Sequence, residues 1–401
     1  MCTLYFRFTV VLVICCSGSS ILMYLIDSAS QCARQMESSD YLRMSDHSGH
    51  HMAPVTASSN RGSPADHVFY LKTHKTGSTT MMTILAEYCR SHQLLPLLPS
   101  LTNNHINVFH PFHTRQIRLI PGVNKYDMVF NHHIFNPGIY SYLHNDTFRF
   151  TTIREPFSQF VSSIEYFSQY VNIEYLQRVK GTHKVVTFLS NPEEYEANVT
   201  NPYRSFTNNR QSLDLGFDLR YQRNDTGYIR TFIQNLEKHF DVILISDYFD
   251  ESLVLLKRLL RWKTQDIIYF RKLQATKKHD YIITAEHRKR HRRISVADRA
   301  LYDHFLPIFK KTISEQQGLM GEVEELQLVL RQVGEFCVDS RGVSGVDSLV
   351  DSRGENKQLI IKAGRWTDQV SILRSKCKWL TLREVGFTRY LQKNIDAMVG
   401  L

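Results

Sequence analysis

Residues 67–80 read His-Val-Phe-Tyr-Leu-Lys-Thr-His-Lys-Thr-Gly-Ser-Thr-Thr, and the groups that bind an anion meet within them. Lys75 supplies a charge, Thr76, Ser78, Thr79 and Thr80 supply hydroxyls, and Gly77 permits a tight turn. The β-branched and aromatic run ahead of them predicts a buried strand at 67–72. The spacing of Met81, Met82, Ile84 and Leu85 predicts a helix reaching about Arg90. A loop between strand and helix aims backbone N–H groups at one point, and the helix dipole favours an anion there. The residues alone also fit a plain β-turn with Ser78 or Thr79 as an N-cap. They do not fit a nucleotide triphosphatase loop, because the lysine precedes the glycine and no upstream glycine is present.

Two further stretches carry chemistry. Phe148–Ile153 predicts a strand, and Arg154-Glu-Pro-Phe-Ser-Gln-Phe-Val-Ser162 follows it. Pro156 suits the first position of a helix. Arg154 offers a forked donor that matches phosphate oxygens. Ser162 lies about two turns on, on the same side. Tyr126–Phe130 predicts another strand, ending at Asn131-His-His-Ile-Phe135. Strand ends in open α/β sheets are where ligands bind, and a histidine can take a proton near neutral pH. The other reading of His132 and His133 is a structural pair with its own hydrogen bonds.

The order Lys75-Thr-Gly-Ser-Thr-Thr80 resembles the 5′-phosphosulfate loop of Golgi carbohydrate sulfotransferases, whose donor is 3′-phosphoadenosine 5′-phosphosulfate. Their second signature is an arginine followed eight residues later by a serine at a strand-to-helix junction, and Arg154 and Ser162 match it. Their usual second basic residue there is Gln159 in this chain. Longer stretches resemble the galactose-3-O-sulfotransferases, whose prototype acts on galactosylceramide. They are Leu71–Thr76, Asn209–Asp218, Phe240–Trp262, Asp266–Arg271 and Leu301–Phe305, within about residues 66–335.

The resemblance implies an α/β fold of the P-loop-like sulfotransferase type, a central parallel sheet flanked by helices. It implies that Lys75, Thr76, Gly77, Ser78, Thr79 and Thr80 hold the 5′-phosphosulfate and that Arg154 and Ser162 hold the 3′-phosphate. It points to His132 as general base, with His133 as second choice, and to an acceptor that is a galactose-terminated glycolipid or glycan. Lys75 suits a further role, stabilising charge on the departing bridging oxygen. His74, inside the loop, either touches phosphosulfate or acceptor or packs against the loop. No metal is required, since lysine, arginine and helix amides can neutralise phosphosulfate.

The whole chain frames these motifs. It has 401 residues, 49 basic and 39 acidic, with 42% hydrophobic residues. That composition excludes a disordered chain, a collagen, a coiled-coil rod, a small disulfide scaffold and a polytopic membrane protein. Residues 8–26 carry no charge and are long enough to cross a bilayer once. They read as a transmembrane signal-anchor after a cytoplasmic tail of residues 1–7, or as a cleaved signal peptide. A Golgi membrane protein with a lumenal catalytic domain is expected. Residues 27–65, rich in Ser, His, Met and Gly, read as a lumenal stem.

A catalytic domain over 66–335 is expected next, then an extension over 336–401 that packs on it or trails. Sequons stand at Asn145, Asn198 and Asn224. Cys89, Cys337 and Cys377 fall in the folded part, their pairing open. The basic run 287–293 reads as a solvated loop, or a rim that draws the polyanionic donor or a membrane surface; no nucleic-acid partner is expected. Residues 294–335 have helical spacing, and 376–401 hold apolar residues enough for a final helix. Homodimerisation is left open by the sequence.

Overall fold

A run of four apolar residues forms each of two strands of the central sheet. Val68–Leu71 (β1) and Val242–Ile245 (β6) are buried along their whole length. Continuous apolar strands of this kind belong to parallel sheets covered on both faces. The computed structural model describes residues 62–100, 105–171, 173–270, 281–338 and 357–398. The expected membrane segment 8–26 and all of the stem but its last residues lie outside them. Among the described residues no helix is long and apolar enough to cross a membrane.

Four parallel strands make the central sheet, in the order β3 (Met128–Val129), β1, β5 (Phe148–Ile153), β6. β1 pairs with β5 from Val68↔Phe148 to Leu71↔Thr151, and β5 pairs with β6 from Phe150↔Val242 to Ile153↔Ile245. The strand expected at Tyr126–Phe130 is short in this sheet. The chain leaves it after Val129, and His132–Ile134 (β4) pairs instead with His105–Pro111 (β2) in a separate two-stranded sheet.

The helices, in chain order, begin with α1 (Ser78–Ser91) and α2 (Pro156–Tyr170). Short turns follow as α3 (Glu174–Gln177), α4 (Lys184–Ser190), α5 (Pro192–Glu196) and α6 (Arg210–Asp214). Longer elements are α7 (Thr226–His239), α8 (Phe249–Leu260), α9 (Ala285–Ile294), α10 (Val296–Ser314) and α11 (Leu319–Cys337). Pro156 stands in the first turn of α2, as its fixed φ suits. The helical stretch after Ile294 divides at Gly318, whose φ of 71° is left-handed.

The basic run 287–293, expected as a loop, is instead the body of α9. The physical reason is a narrow buried stripe: His291 and Ile294 pack inward while the arginines face outward. His291 meets the rings of Phe157 and Phe160, which belong to a second apolar cluster around α2.

The last part of the chain is built onto the domain. Gln358–Ile361 (β7) and Val370–Leu373 (β8) form an antiparallel hairpin, followed by α12 (Lys376–Thr381) and α13 (Glu384–Met398). A disulfide joins Cys337 at the end of α11 to Cys377 in α12, and Cys89 is a buried free thiol. Phe387, Leu391 and Ile395 of α13 belong to the main core, so the extension contributes to it.

Candidate active site

The carboxyl ends of β1 and β5 lie side by side. The chain leaves β1 toward β3 on one side and leaves β5 toward β6 on the other. Such a reversal opens a crevice at the strand ends. The loop from Lys72 to Gly77 and the turn at Arg154 and Glu155 stand at this crevice. Arg154 Nη1 donates to the carbonyl of Lys75 at 3.1 Å, so the two predicted halves of the site touch. Gln159 Nε2 adds a bond to the carbonyl of His74 at 3.1 Å. Gln159 therefore braces the loop.

Lys75 and Gly77 are both left-handed, with φ of 63° and 74°. Left-handed positions in a tight loop turn amides toward a common point, and the first turn of α1 leaves its own amides without intrahelical partners. A Cβ on Gly77 would meet the Phe249 ring and Ser246 Oγ at 3.3 Å. Lys75 takes the same conformation despite its Cβ, a strain of the kind stored at ligand sites.

Two of the predicted hydroxyls are spent inside the loop. Ser78 Oγ donates to the carbonyl of Thr73 at 2.7 Å, and Thr76 shares a hydrogen bond with Thr73 Oγ1 at 2.8 Å. Gly77 is exposed, Lys75 and Thr79 are half-buried, and Thr80 is buried. Lys75 Nζ lies 3.8 Å from the centre of the Tyr166 ring. Burial, with Lys72 and Arg154 nearby, pulls its pKa down to about 8. Ser162 sits half-buried in α2, and among the described residues no hydrogen bond joins it to Arg154.

The histidines separate by what their nitrogens face. His74 Nδ1 bonds the Asp214 carboxylate at 2.8 Å, and the His74 amide donates to the same carboxylate at 2.8 Å. Asp214 is also gripped by Arg210 at 2.6 and 3.1 Å, and both are fully buried. A carboxylate on Nδ1 fixes the tautomer and leaves Nε2 with its lone pair. His132 stacks on His74 with centroids 4.1 Å apart, but both of its nitrogens are engaged. Nδ1 lies 2.8 Å from the Lys72 carbonyl and Nε2 lies 2.7 Å from Lys72 Nζ.

His133 points to the other face of β4, against Phe69 and Phe112, with Nδ1 bonded to the Asn131 carbonyl. Burial pushes its pKa down to about 4. Burial first, then Arg210, His105, Lys72 and Lys75, holds His74 well below the ordinary histidine range. His132 is lowered by burial and by Lys72.

Lys72, His105, Arg210 and Asp214 carry no role in the motifs read from sequence. Arg210 and Asp214 do fall in the family-like segment 209–218, at the spacing of one helical turn. His105 lies opposite His132 across the β2–β4 pair, 5.3 Å ring to ring.

Nitrogens of His74, His105 and His132 lie within 4.8 Å of one another. The His74 and His132 rings are stacked within 14° of parallel, so one ion cannot lie in both ring planes, and Lys72 and Arg210 oppose a cation there. Near the amino ends of β1 and β3, His67, His144 and Asp127 form a second group. Those two rings also stack, at 3.9 Å and 10°. Asn145 and Asn224 are exposed; the Asn198 side chain is half-buried and donates to the Glu194 carbonyl at 2.8 Å.

The family model described as galactose-3-O-sulfotransferase matches residues 3–353. Human galactose-3-O-sulfotransferase 2 is 30% identical over 293 residues, 72% of this chain and 72% of that protein. Mouse galactose-3-O-sulfotransferase 3 is 31% identical over 65% of this chain and 60% of its own length. Bovine galactosylceramide sulfotransferase is 29% identical over 75% of this chain and 71% of its own length. With that match spanning most of its length, the chain belongs to the galactose-3-O-sulfotransferase family.

Proposed function

We propose that this protein transfers a sulfuryl group from 3′-phosphoadenosine 5′-phosphosulfate to the 3-hydroxyl of a terminal β-galactose on a glycolipid or glycan. The observation that carries the reading is the contact of Arg154 with the Lys75 carbonyl. It supports one cleft able to grip both anionic ends of one nucleotide. The donor brings the sulfuryl group; the chain binds, orients and moves a proton.

Lys75, the Gly77 turn and the amides opening α1 hold the 5′ end. Arg154, with Ser162 two turns along α2, faces the 3′-phosphate. Lys75 stabilises the charge that develops on the bridging oxygen as the bond to sulfur breaks. The acceptor proton goes to Nε2 of His74. Asp214 holds the imidazole in the tautomer that leaves this atom unprotonated and stabilises the imidazolium that forms. This replaces His132, whose Nε2 faces the Lys72 ammonium. The lowered pKa keeps His74 neutral in the free enzyme, and the negative charge of bound donor raises it toward the working range.

The enzyme acts from a Golgi membrane, anchored by residues 8–26 with the catalytic domain in the lumen. The absence of charge from that segment and the three downstream sequons support this placement. The test is radiolabelled sulfate transfer by the full chain to galactosylceramide, lactose-type glycans and desulfated heparan. Transfer to galactosides, lost in Lys75→Ala, is expected. Transfer to heparan alone, or none to any acceptor, overturns the reading.

A further inference from the structure

The C-terminal extension reaches the cleft. Lys72, at the end of β1, is 1% exposed, and its ammonium is held between two groups. His132 Nε2 lies at 2.7 Å and Glu384 Oε1 at 2.8 Å. Glu384 is the first residue of α13, beyond the segment 3–353 that matches the family. Its side chain retains 14% of its exposure.

The helix that presents it is fixed in three ways. Phe387, Leu391 and Ile395 enter the main core. Thr388 Oγ1 accepts from Asn131 Nδ2 at 3.3 Å, next to the histidine pair. Gln392 Nε2 donates to the Pro99 carbonyl at 3.0 Å. Upstream, the Cys337–Cys377 disulfide ties α12 to α11, so Glu384 begins seven residues after a covalent anchor.

Charge explains why a carboxylate is useful there. Lys72, Lys75, Arg154 and Arg210 converge on this end of the sheet. Asp214, fully buried beside them, is already bonded by Arg210 and His74, and Glu165 on α2 raises Lys75 and Arg154. Burial lowers the Lys72 pKa, and Glu384 acts against that. Glu384 also raises Lys75 and His105, and it faces Tyr70 on β1 and Tyr166 on α2. An ammonium donating to Nε2 of His132, with Nδ1 facing the Lys72 carbonyl, keeps that ring neutral. A neutral ring stacked on His74 does not repel the imidazolium that forms when His74 takes a proton.

We propose that Glu384 is a positioning residue of the active site: it holds the Lys72 ammonium against His132, and so keeps the ring stacked on His74 neutral and in place. The inference rests on the sulfotransferase reading above. The C-terminal helix is then part of the catalytic apparatus, although the family signatures end before it.

The experiment measures kcat/KM for the donor against pH, in the full chain, for wild type, Glu384→Gln and Glu384→Asp. In the free wild-type enzyme an alkaline limb is expected near pH 8, where Lys75 loses its charge. Glu384→Gln keeps the shape and removes the charge. It is expected to lower kcat at least ~10-fold and to move the alkaline limb toward acid, because the Glu384 charge that raises Lys75 is gone. Glu384→Asp is expected to restore the limb and most of kcat, with melting temperatures of all three alike.

An unchanged rate and profile in Glu384→Gln overturns the proposal. So does a slower Glu384→Gln whose limb has not moved, or a Glu384→Asp as slow as Glu384→Gln, because then the residue is only structural. A wild-type chain without sulfate transfer defeats the functional reading itself, a separate outcome.

Discussion

Replacing His74 by Gln tests it against His132, the base to which the family resemblance pointed. Gln can donate to Asp214 in place of Nδ1, so the buried Arg210–Asp214 pair keeps its neighbour and the fold is retained. What disappears is the unprotonated Nε2. A positioned general base contributes about 10²–10⁴-fold. At about 1.36 kcal/mol per decade this is about 3–5 kcal/mol of barrier. The expected result is a kcat lower by that factor, with KM for donor changed less than about 3-fold, since the loss is confined to the proton-transfer step. His132→Gln, which removes only the stacked and Lys72-bonded ring, is expected to cost about 10-fold. The assay is initial-rate radiolabelled sulfate transfer to a galactoside at saturating donor, with circular dichroism to confirm folding. A His74→Gln enzyme within 5-fold of wild type, beside a His132→Gln enzyme reduced about 100-fold, refutes the assignment.

Other perturbations follow from the same geometry. Asp214→Asn leaves Arg210 as a buried cation without its carboxylate; a loss of about 3–5 kcal/mol in denaturant-derived stability is expected, together with loss of activity. Gly77→Ala forces a Cβ onto a residue at φ 74°, 3.3 Å from Phe249; donor binding weakened at least about 5-fold, by calorimetry, is the expected outcome, at a backbone cost of about 1–2 kcal/mol. Because the folded pKa of His74 is depressed, the neutral base persists below the ordinary histidine range. The acid limb of kcat/KM for donor is therefore expected below pH 6.5, and a limb above it contradicts the burial argument. Cys337→Ser opens the disulfide that ties the extension; a loss of about 2–5 kcal/mol and a lower melting temperature are expected.

Short-range patterns carried the reading of the sequence. The lysine loop, the Arg154 turn and strand β5 all announce themselves within a few residues, because strand, loop and helix follow one another there. Which histidine has a free nitrogen depends on partners far along the chain. The His74–Asp214 bond spans 140 residues, and Glu384 comes from far along the chain, in its C-terminal part. No local spacing encodes such pairs. Lys72 was hidden for a related reason: at the end of an apolar strand it reads as the residue where the strand stops. The basic run in α9 shows the reverse failure. Seven polar residues in a row suggested a loop, while only His291 and Ile294 carry the helix's buried face.

The central claim is that the lysine loop and the arginine turn clasp one nucleotide. Calorimetric titration of the full chain with adenosine 3′,5′-bisphosphate tests it directly, using wild type, Lys75→Ala and Arg154→Ala. Each truncation removes a charge-assisted contact of about 1.5–3 kcal/mol, so affinity should fall about 10–100-fold in both variants. Wild-type affinity retained by Arg154→Ala, or no binding by the wild-type chain, contradicts the account.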